Sequence, residues 1–293
     1  MALFVSALII GVFLGTIYGL MAFGIVASYR ISRVVNLGQA GVAALGATVF
    51  YWMTAQWGAP VIVSLIAAVL VGAVCGGLLG WANMLMADWP KAFIMIFTLS
   101  VCLMLFALVD HILPPTTIAP VSPFGTGGFN FALTFVAAHQ IGTFAVTCAV
   151  VLGATALLRY TRFGLFVRAI YDDPAGAATL GIPLAVYVIG VWALAGGMAG
   201  LAGILIANRT LLDTVLLLFV SVYALAGAIL GGLESFALAF AGGVLIGTSE
   251  GILGGGVLGI LPPGTEQLGT VVIMAIAVFY AGTKRRHLAH LQT

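Results

Sequence analysis

Charged residues are the class that this sequence lacks most. The 293 residues include 10 Lys and Arg and 8 Asp and Glu, or 6% of the chain, whereas a soluble domain carries about 25%. Hydrophobic residues make up 63%, and the mean hydropathy is +1.25. Because so few polar groups cannot cover a globular surface in water, most of the surface must face lipid. The net charge of +2 gives no basis for nucleic-acid binding.

Cysteines and catalytic motifs are also scarce. The three cysteines lie in separate apolar runs, which favours buried thiols over disulfides or metal ligands. The sequence contains neither H-E-x-x-H nor G-x-x-x-x-G-K-[ST]. We therefore expect a protein that is not an enzyme, with no catalytic residue, metal or cofactor of its own. If ATP drives it, ATP and magnesium bind to another chain.

Long apolar runs dominate what is present. Nine reach or approach the roughly 20 residues that cross a membrane; they lie at 3–28, 38–57, 60–87, 92–110, 132–158, 183–207, 215–232, 236–256 and 268–282. This pattern predicts an all-α membrane protein, with residues 1–293 forming one polytopic bundle of about 8–9 transmembrane helices. Two interpretations of 215–256 stay open: two short spans joined by a tight turn, or two half-helices that meet within the membrane.

Basic residues predict the orientation of these spans. They cluster after the first, third, fifth and last runs, at Arg30, Arg33, Lys91, Arg159, Arg162, Arg168, Lys284, Arg285 and Arg286. With nine spans these clusters share one side, which the positive-inside rule makes cytoplasmic, and Arg209 is the one exception. We expect a multi-pass protein of the bacterial cytoplasmic (inner) membrane, with its N-terminus outside and its C-terminus inside.

The polar segment 159–183 contains residues that typically start and end a very short helix. Asp173 is a good N-cap, and Pro174 suits the first helical position. Gly181 suits a left-handed closing position, and Pro183 can open the next helix. A helix of about 10 Å does not persist alone in water. The pattern therefore predicts a short projecting helix that docks against a soluble partner.

Glycine recurs every fourth residue in three of the apolar runs. The series are Gly11, Gly15 and Gly19; Gly72, Gly76 and Gly80; and Gly243, Gly247 and Gly251, with Gly196 and Gly200 as a further pair. Residues four apart share a helix face, so each series is a groove that another backbone can approach. Tight packing is one interpretation, and a sliding surface or path lining is the other.

Five polar residues are candidates for a translocation path. Asn36 either caps the second helix or, with Gln39, lies on the path at a broken helix start. Glu250 lies inside an apolar run near its outer end, where a carboxylate indicates either a functional site or a structural role. We add Tyr18 and Ser221 to these candidates.

Four sequence blocks together resemble the membrane permease subunits of ABC importers for branched-chain amino acids, a group that includes urea and amide permeases. They are G-T-I-Y-G-L-M-A-F-G-I (15–25) with V-N-L-G-Q-A-G (35–41), the segment 162–183, A-L-A-G-G-M-A-G-L-A-G-I-L (193–205), and V-Y-A-L-A-G-A-I-L-G-G-L-E-S-F (222–236) with G-G-V-L-I-G-T-S-E (242–250). They occur in the order expected for this group and span most of the chain.

The resemblance implies a membrane-embedded permease that pairs with a second, similar permease subunit or with a copy of itself. It also implies two ATPase subunits on the cytoplasmic side and an extracytoplasmic substrate-binding protein. Residues 173–182 would then be the coupling helix that enters a cleft of the ATPase. The residues implied in coupling are Arg168, Asp172, Asp173, Pro174, Ala177, Gly181 and Ile182.

The sequence departs from the group's pattern after Asn36. The group usually has an aromatic residue there, followed by Ala, His and Gly, whereas Leu37-Gly38-Gln39-Ala40-Gly41 stands here. The expected solute is a branched-chain or other amino acid. Urea, amides or small organic acids stay open, as does an ion-coupled secondary transporter.

Overall fold

Helices make up nearly all the regular structure of the protein. The computed structural model describes residues 2–113, 121–125, 127–131, 134–210, 213–254, 270–272, 274–276 and 278–279. The elements in these residues are α1 (Ala2–Ser32), α2 (Gln39–Tyr51) with a π-helical turn (Trp52–Gln56), α3 (Val61–Leu85), α4 (Lys91–Ile112), β1 (Gly128–Phe131), β2 (Thr134–Ala137), α5 (Ala138–Tyr160), α6 (Arg162–Asp172), α7 (Pro174–Thr179), α8 (Leu184–Thr210), α9 (Thr214–Leu230) and α10 (Phe236–Gly254).

Eight of the nine predicted spans correspond to helices of this bundle. Helices α1, α3, α4, α5, α8 and α10 are long and apolar enough to cross a membrane, and α9 is a shorter apolar helix. Helix α2 and its π-helical turn together cover the second predicted span. The helical membrane bundle is thus confirmed. In the ninth predicted span, 268–282, the described residues 270–272, 274–276 and 278–279 are helical, and the basic residues that follow it lie outside the described residues.

The fifth span begins later than predicted because a β-hairpin precedes it. Strands β1 and β2 pair antiparallel, with Gly128 opposite Ala137 and Phe131 opposite Thr134. Helix α5 therefore starts at Ala138 rather than near residue 132. Both strands are only four residues long, and nothing in the apolar pattern distinguishes them from the start of a helix.

Two helices form the centre of the bundle. In both α1 and α8, 78% of the most apolar stretch is buried within the protein, against 22–33% in α3, α4, α5 and α10. Helix α2 is also mostly buried. The other helices expose large apolar side chains such as Ile62, Leu152 and Leu245. That arrangement suits lipid outside and packed helices inside.

The predicted glycine grooves are helix-packing surfaces. A Cβ atom on Gly15 of α1 would lie 2.6 Å from the Val244 Cα of α10, and one on Gly247 would lie 2.3 Å from the Gly15 Cα. On the other side of the bundle, a Cβ on Gly76 of α3 would lie 2.8 Å from the Gly196 Cα of α8. Only residues without side chains permit such backbone approach, so the packing interpretation is confirmed at these positions.

The turn between α9 and α10 lies at one end of the bundle, not in its middle. Gly232 and Leu233 both adopt positive φ there, at +73° and +59°. Glu234 and Phe236 share a cavity with Arg30 and Arg159, which stand at the last turns of α1 and α5. The two-span interpretation of 215–256 therefore holds. We call this end, where α1 and α5 finish and α10 begins, the basic end.

Candidate translocation path and docking segment

The chain re-enters the bundle after α1 in an extended form. Arg33 has a φ of +56°, and residues 33–38 are non-helical and largely buried. The backbone N–H of Leu37 donates to the Thr98 hydroxyl of α4 (3.2 Å). Helix α2 thus starts well inside the bundle. Non-helical backbone at such a depth is tolerated where protein surrounds it or where it lines a water-filled path.

Asn36 does not cap α2, so that interpretation is wrong. The N-cap position is Gly38, which makes no side-chain capping bond. Instead, the Asn36 side-chain oxygen accepts a hydrogen bond from the Gly38 N–H (2.9 Å), forming a local turn one step ahead of the helix. A turn of this kind satisfies the backbone while α2 begins at Gln39.

Gln39 connects the start of α2 to the middle of α1. When its amide is oriented to satisfy both neighbours, the nitrogen donates to the Met21 carbonyl (3.1 Å) and the oxygen accepts from the Ile25 N–H (3.3 Å). These two backbone groups are the pair that an α-helix bonds to each other. Fully buried, the amide thus sits alongside the α1 hydrogen-bond ladder, where such insertion favours a bend.

Tyr18 and Glu250 form a buried polar pair across the glycine-packed helices. The Tyr18 hydroxyl donates to a Glu250 carboxylate oxygen (2.7 Å), and the Tyr223 ring lies 5.5 Å from the Tyr18 ring. Glu250 stands 14 residues beyond Phe236, or about 21 Å from the basic end at 1.5 Å per residue. This is about two-thirds of the way across a bilayer core of roughly 30 Å. The carboxylate therefore has a protein partner at depth.

Asn36 and Ser221 meet at a second place. Both line a cavity of about 110 Å³ whose other walls are apolar. Tyr18 and Glu250 line a smaller cavity of about 40 Å³ with Tyr223. The five candidate path residues thus separate into two pairs and Gln39, which stands against α1. All of them except Glu250, which is half-buried, lie in the buried interior.

The sequence Gly247–Gly251 also matches the G-x-S-x-G pattern of serine hydrolases. Ser249 lies within α10, however, and its hydroxyl donates to the Ile246 carbonyl (2.7 Å). A hydrolase nucleophile sits instead on a sharp turn between a strand and a helix. The match is therefore a feature of a small-residue transmembrane helix.

Helix α7 is capped at both ends as its sequence predicts. The Asp173 carboxylate accepts from the Gly176 N–H (3.0 Å) at the start. At the end, the Ile182 N–H donates to the Ala177 carbonyl (3.1 Å) and the Gly181 N–H to the Ala178 carbonyl (3.0 Å). With Gly181 at a φ of +77°, this is the Schellman arrangement. Local bonds thus close both ends of this six-residue helix.

The two faces of α7 differ. Ala177 is 4% exposed and faces the protein's own interior, so it cannot be a main contact for another protein as expected. Asp172, Asp173, Pro174 and Gly181 are exposed, and Ile182 is half-buried. Leu180, which the sequence analysis passes over, is 80% exposed at the tip. A large apolar side chain projecting so far indicates a contact surface.

The Arg168 side chain lies against α6 and the end of α5. Its guanidinium donates to the carbonyls of Gly164 (3.3 Å) and Arg159 (3.2 Å). It thereby ties α6 to the last turn of α5. Such bonds suit a residue that orients the loop between α5 and α7.

Tyr171 joins the polar segment 159–183 to the rest of the bundle. The guanidinium carbons of Arg30 and Arg33 lie 4.6 and 4.2 Å from the centre of its ring. Arg30 also lies 5.0 Å from the ring of Phe236 at the start of α10. These cation–π contacts connect the residue just before Asp172 with both α1 and α10. Sequence reasoning missed them because the partners are far apart in the chain.

Comparison with known proteins adds a family to this geometry. The profile of the family described as "Branched-chain amino acid transport system / permease component" matches residues 7–281. A probable branched-chain amino acid transport permease protein LivH of Methanocaldococcus jannaschii is 28% identical over 242 residues, covering 80% of this chain and 76% of that protein. The high-affinity branched-chain amino acid transport system permease protein LivH of Escherichia coli K12 is 26% identical over 266 residues, covering 85% of each.

Among solved structures, one similar arrangement is that of PsaBC from Streptococcus pneumoniae in complex with Fab. Its chain shares 16% identity with this one at a TM-score of 0.49, and the match covers 93% of this chain and 89% of that one.

Proposed function

Since the chain belongs to the family of permease components of branched-chain amino acid transport systems, we propose that it is the membrane-spanning subunit of an ATP-driven importer. The observation that supports this most directly is α7. It is a six-residue helix capped at both ends, with Leu180 exposed at its tip. A short, capped helix that projects at the basic end is suited to insert into a cleft of a soluble partner.

In this proposal the basic end faces the cytoplasm, as the positive-inside rule predicts. Two ATPase subunits carry ATP and magnesium and receive α7. A second, similar permease subunit completes the membrane part, and an extracytoplasmic binding protein delivers the solute. Asp172, Asp173, Pro174, Leu180 and Gly181 form the docking surface, while Ala177 supports α7 from beneath.

The chemistry of the path favours a small polar solute. Asn36 and Ser221 offer an amide and a hydroxyl to one apolar-walled cavity, which suits a solute with both polar and aliphatic parts. The names of the related proteins favour branched-chain amino acids. The replacement of the usual aromatic, Ala and His after Asn36 keeps urea, amides and small organic acids as alternatives.

The test is purification of the tagged chain from its native membrane, with mass spectrometry of the proteins that accompany it. We expect an ATPase subunit in the wild-type preparation and its loss from Gly181→Val. The left-handed φ of +77° makes any β-branched residue costly there. Gly125→Val is the matched control, because Gly125 has a φ of +78°, equally open surroundings and a place outside the docking segment.

Retention of the ATPase by Gly181→Val would contradict the docking role of α7. Absence of any ATPase from intact wild-type protein in mild detergent would contradict the importer itself.

The half-buried carboxylate of Glu250, at depth within a span, favours a second candidate, an ion-coupled secondary transporter. In that case Glu250→Gln would abolish a pH-dependent uptake that needs no ATP. In an importer, Glu250→Gln keeps an acceptor for the Tyr18 hydroxyl, so we expect ATP-dependent uptake of radiolabelled leucine to survive. Uptake assays with and without an imposed proton gradient distinguish the two.

A further inference from the structure

A cavity with several charged and polar side chains in its lining lies at the basic end, apart from the path candidates. It has a volume of about 410 Å³ and lies between the last turns of α1 and α5, one face of α6 and the start of α10. Two of its lining residues, Arg168 and Tyr171, also hold the segment before α7 against the bundle. The side chains that give it character are Arg30, Arg159, Arg168, Glu234 and Ser235.

Positive charge dominates this cavity. Three arginines and one carboxylate, that of Glu234, are among its lining residues. In the part of the chain that the structure describes, no ion pair within 4 Å joins these arginines to an acid. Arg168 uses donors on backbone carbonyls, and Arg30 lies on aromatic rings. Because guanidinium has five N–H donors, donors remain on each arginine for an anion.

The depth of the cavity matches a membrane surface. Arg30 stands two residues before the end of α1, and Arg159 one residue before the end of α5. One turn farther into α1 the lining residue is Ala27, and Leu158 and Val191 add apolar surface; Thr155, one turn into α5, is the polar residue at that level. The site therefore has a cationic rim at headgroup level above a largely apolar floor.

We propose that this cavity binds the phosphate of an anionic phospholipid from the leaflet at the basic end. The arginines bind the phosphodiester through charge-assisted hydrogen bonds. Ser235 and Thr155 are placed at the same lining to meet the rest of the headgroup. The first methylenes of the acyl chains lie against the apolar floor. A net positive basic pocket between transmembrane helices selects anionic over zwitterionic headgroups.

The experiment is native mass spectrometry of the full chain released from nanodiscs of equal parts phosphatidylglycerol and phosphatidylcholine. We expect a retained phosphatidylglycerol molecule. Retention should weaken about fivefold for each arginine removed in Arg30→Gln and Arg159→Gln. Arg162→Gln is the charge-matched control, since Arg162 is exposed on α6 and does not line the cavity; it should retain the lipid as the wild type does.

A second variant removes the space and keeps the charge. Ala237 is exposed and lines the cavity, so Ala237→Trp should obstruct the site and abolish retention in a protein with a normal size-exclusion profile. This variant decides the matter if an arginine variant fails to fold.

Three results would overturn the proposal. The first is equal retention of the two lipids, and the second is equal loss in Arg162→Gln. The third is displacement of the lipid by millimolar glycerol 3-phosphate, which would identify a soluble phosphate as the ligand instead.

Discussion

A single methyl group added at Gly15 tests how the bundle is held together. The Cβ of Gly15→Ala would lie 2.6 Å from both the Cα and the carbonyl oxygen of Val244. Both are backbone atoms, so no side-chain rotation relieves the contact. Helices α1 and α10 must separate by about 1 Å to restore an ordinary distance of about 3.5 Å. Overpacking of this kind costs roughly 1–3 kcal/mol.

The matched control is Gly153→Ala in α5. A Cβ there meets nothing within 4 Å, so only helix propensity changes, which favours alanine by up to about 1 kcal/mol. We expect the free energy of unfolding in mixed micelles, followed by tryptophan fluorescence against denaturing detergent, to fall for Gly15→Ala and to hold or rise for Gly153→Ala. Equal stabilities would refute the close approach of α1 and α10.

Two further predictions concern single side chains. Tyr171→Leu removes the aromatic ring that contacts Arg30 and Arg33. It should weaken co-purification of the ATPase severalfold, at about 0.5–1 kcal/mol for each exposed cation–π contact. Tyr171→Phe keeps the ring and should behave as wild type, so equal effects of the two variants would exclude the cation–π role. Gln39→Leu removes the amide that bonds to the backbone of α1 and should lower the free energy of unfolding by about 1–3 kcal/mol. Gln39→Glu, which cannot donate to the Met21 carbonyl when ionised, should be no more stable than Gln39→Leu. A Gln39→Leu variant as stable as the wild type in the same micelle assay would contradict the bridging geometry.

The ends of α7 were predictable because they depend on neighbours in the chain. The Asp173 cap reaches only three residues ahead, and the Gly181 closure involves residues within five of each other. Bonds of this range are encoded in residue type and spacing. The spans were predictable for a similar reason, since an apolar run of sufficient length has few alternatives to a helix in lipid.

The pairing of the polar residues was not predictable. Tyr18 and Glu250 are 232 positions apart, and nothing in either local sequence specifies the other. The prediction that Asn36 caps α2 was wrong. Its side chain accepts a hydrogen bond from the Gly38 N–H, which comes before the first helical residue, Gln39. The β-hairpin before α5 was missed because four-residue strands leave too short a pattern.

What the sequence determined by itself is the membrane environment, the approximate position of eight spans, the capped helix α7 and the family. These follow from composition and from contacts within a few residues. The tertiary structure alone decided that α1 and α8 are central, that Tyr18 meets Glu250, and that Tyr171 contacts Arg30 of α1 and Arg33 just after it. Such contacts depend on how closely helix backbones approach and in what rotation. Glycine makes that approach possible. Which helix packs there is determined by the partner surface, and residues distant in the chain contribute that surface.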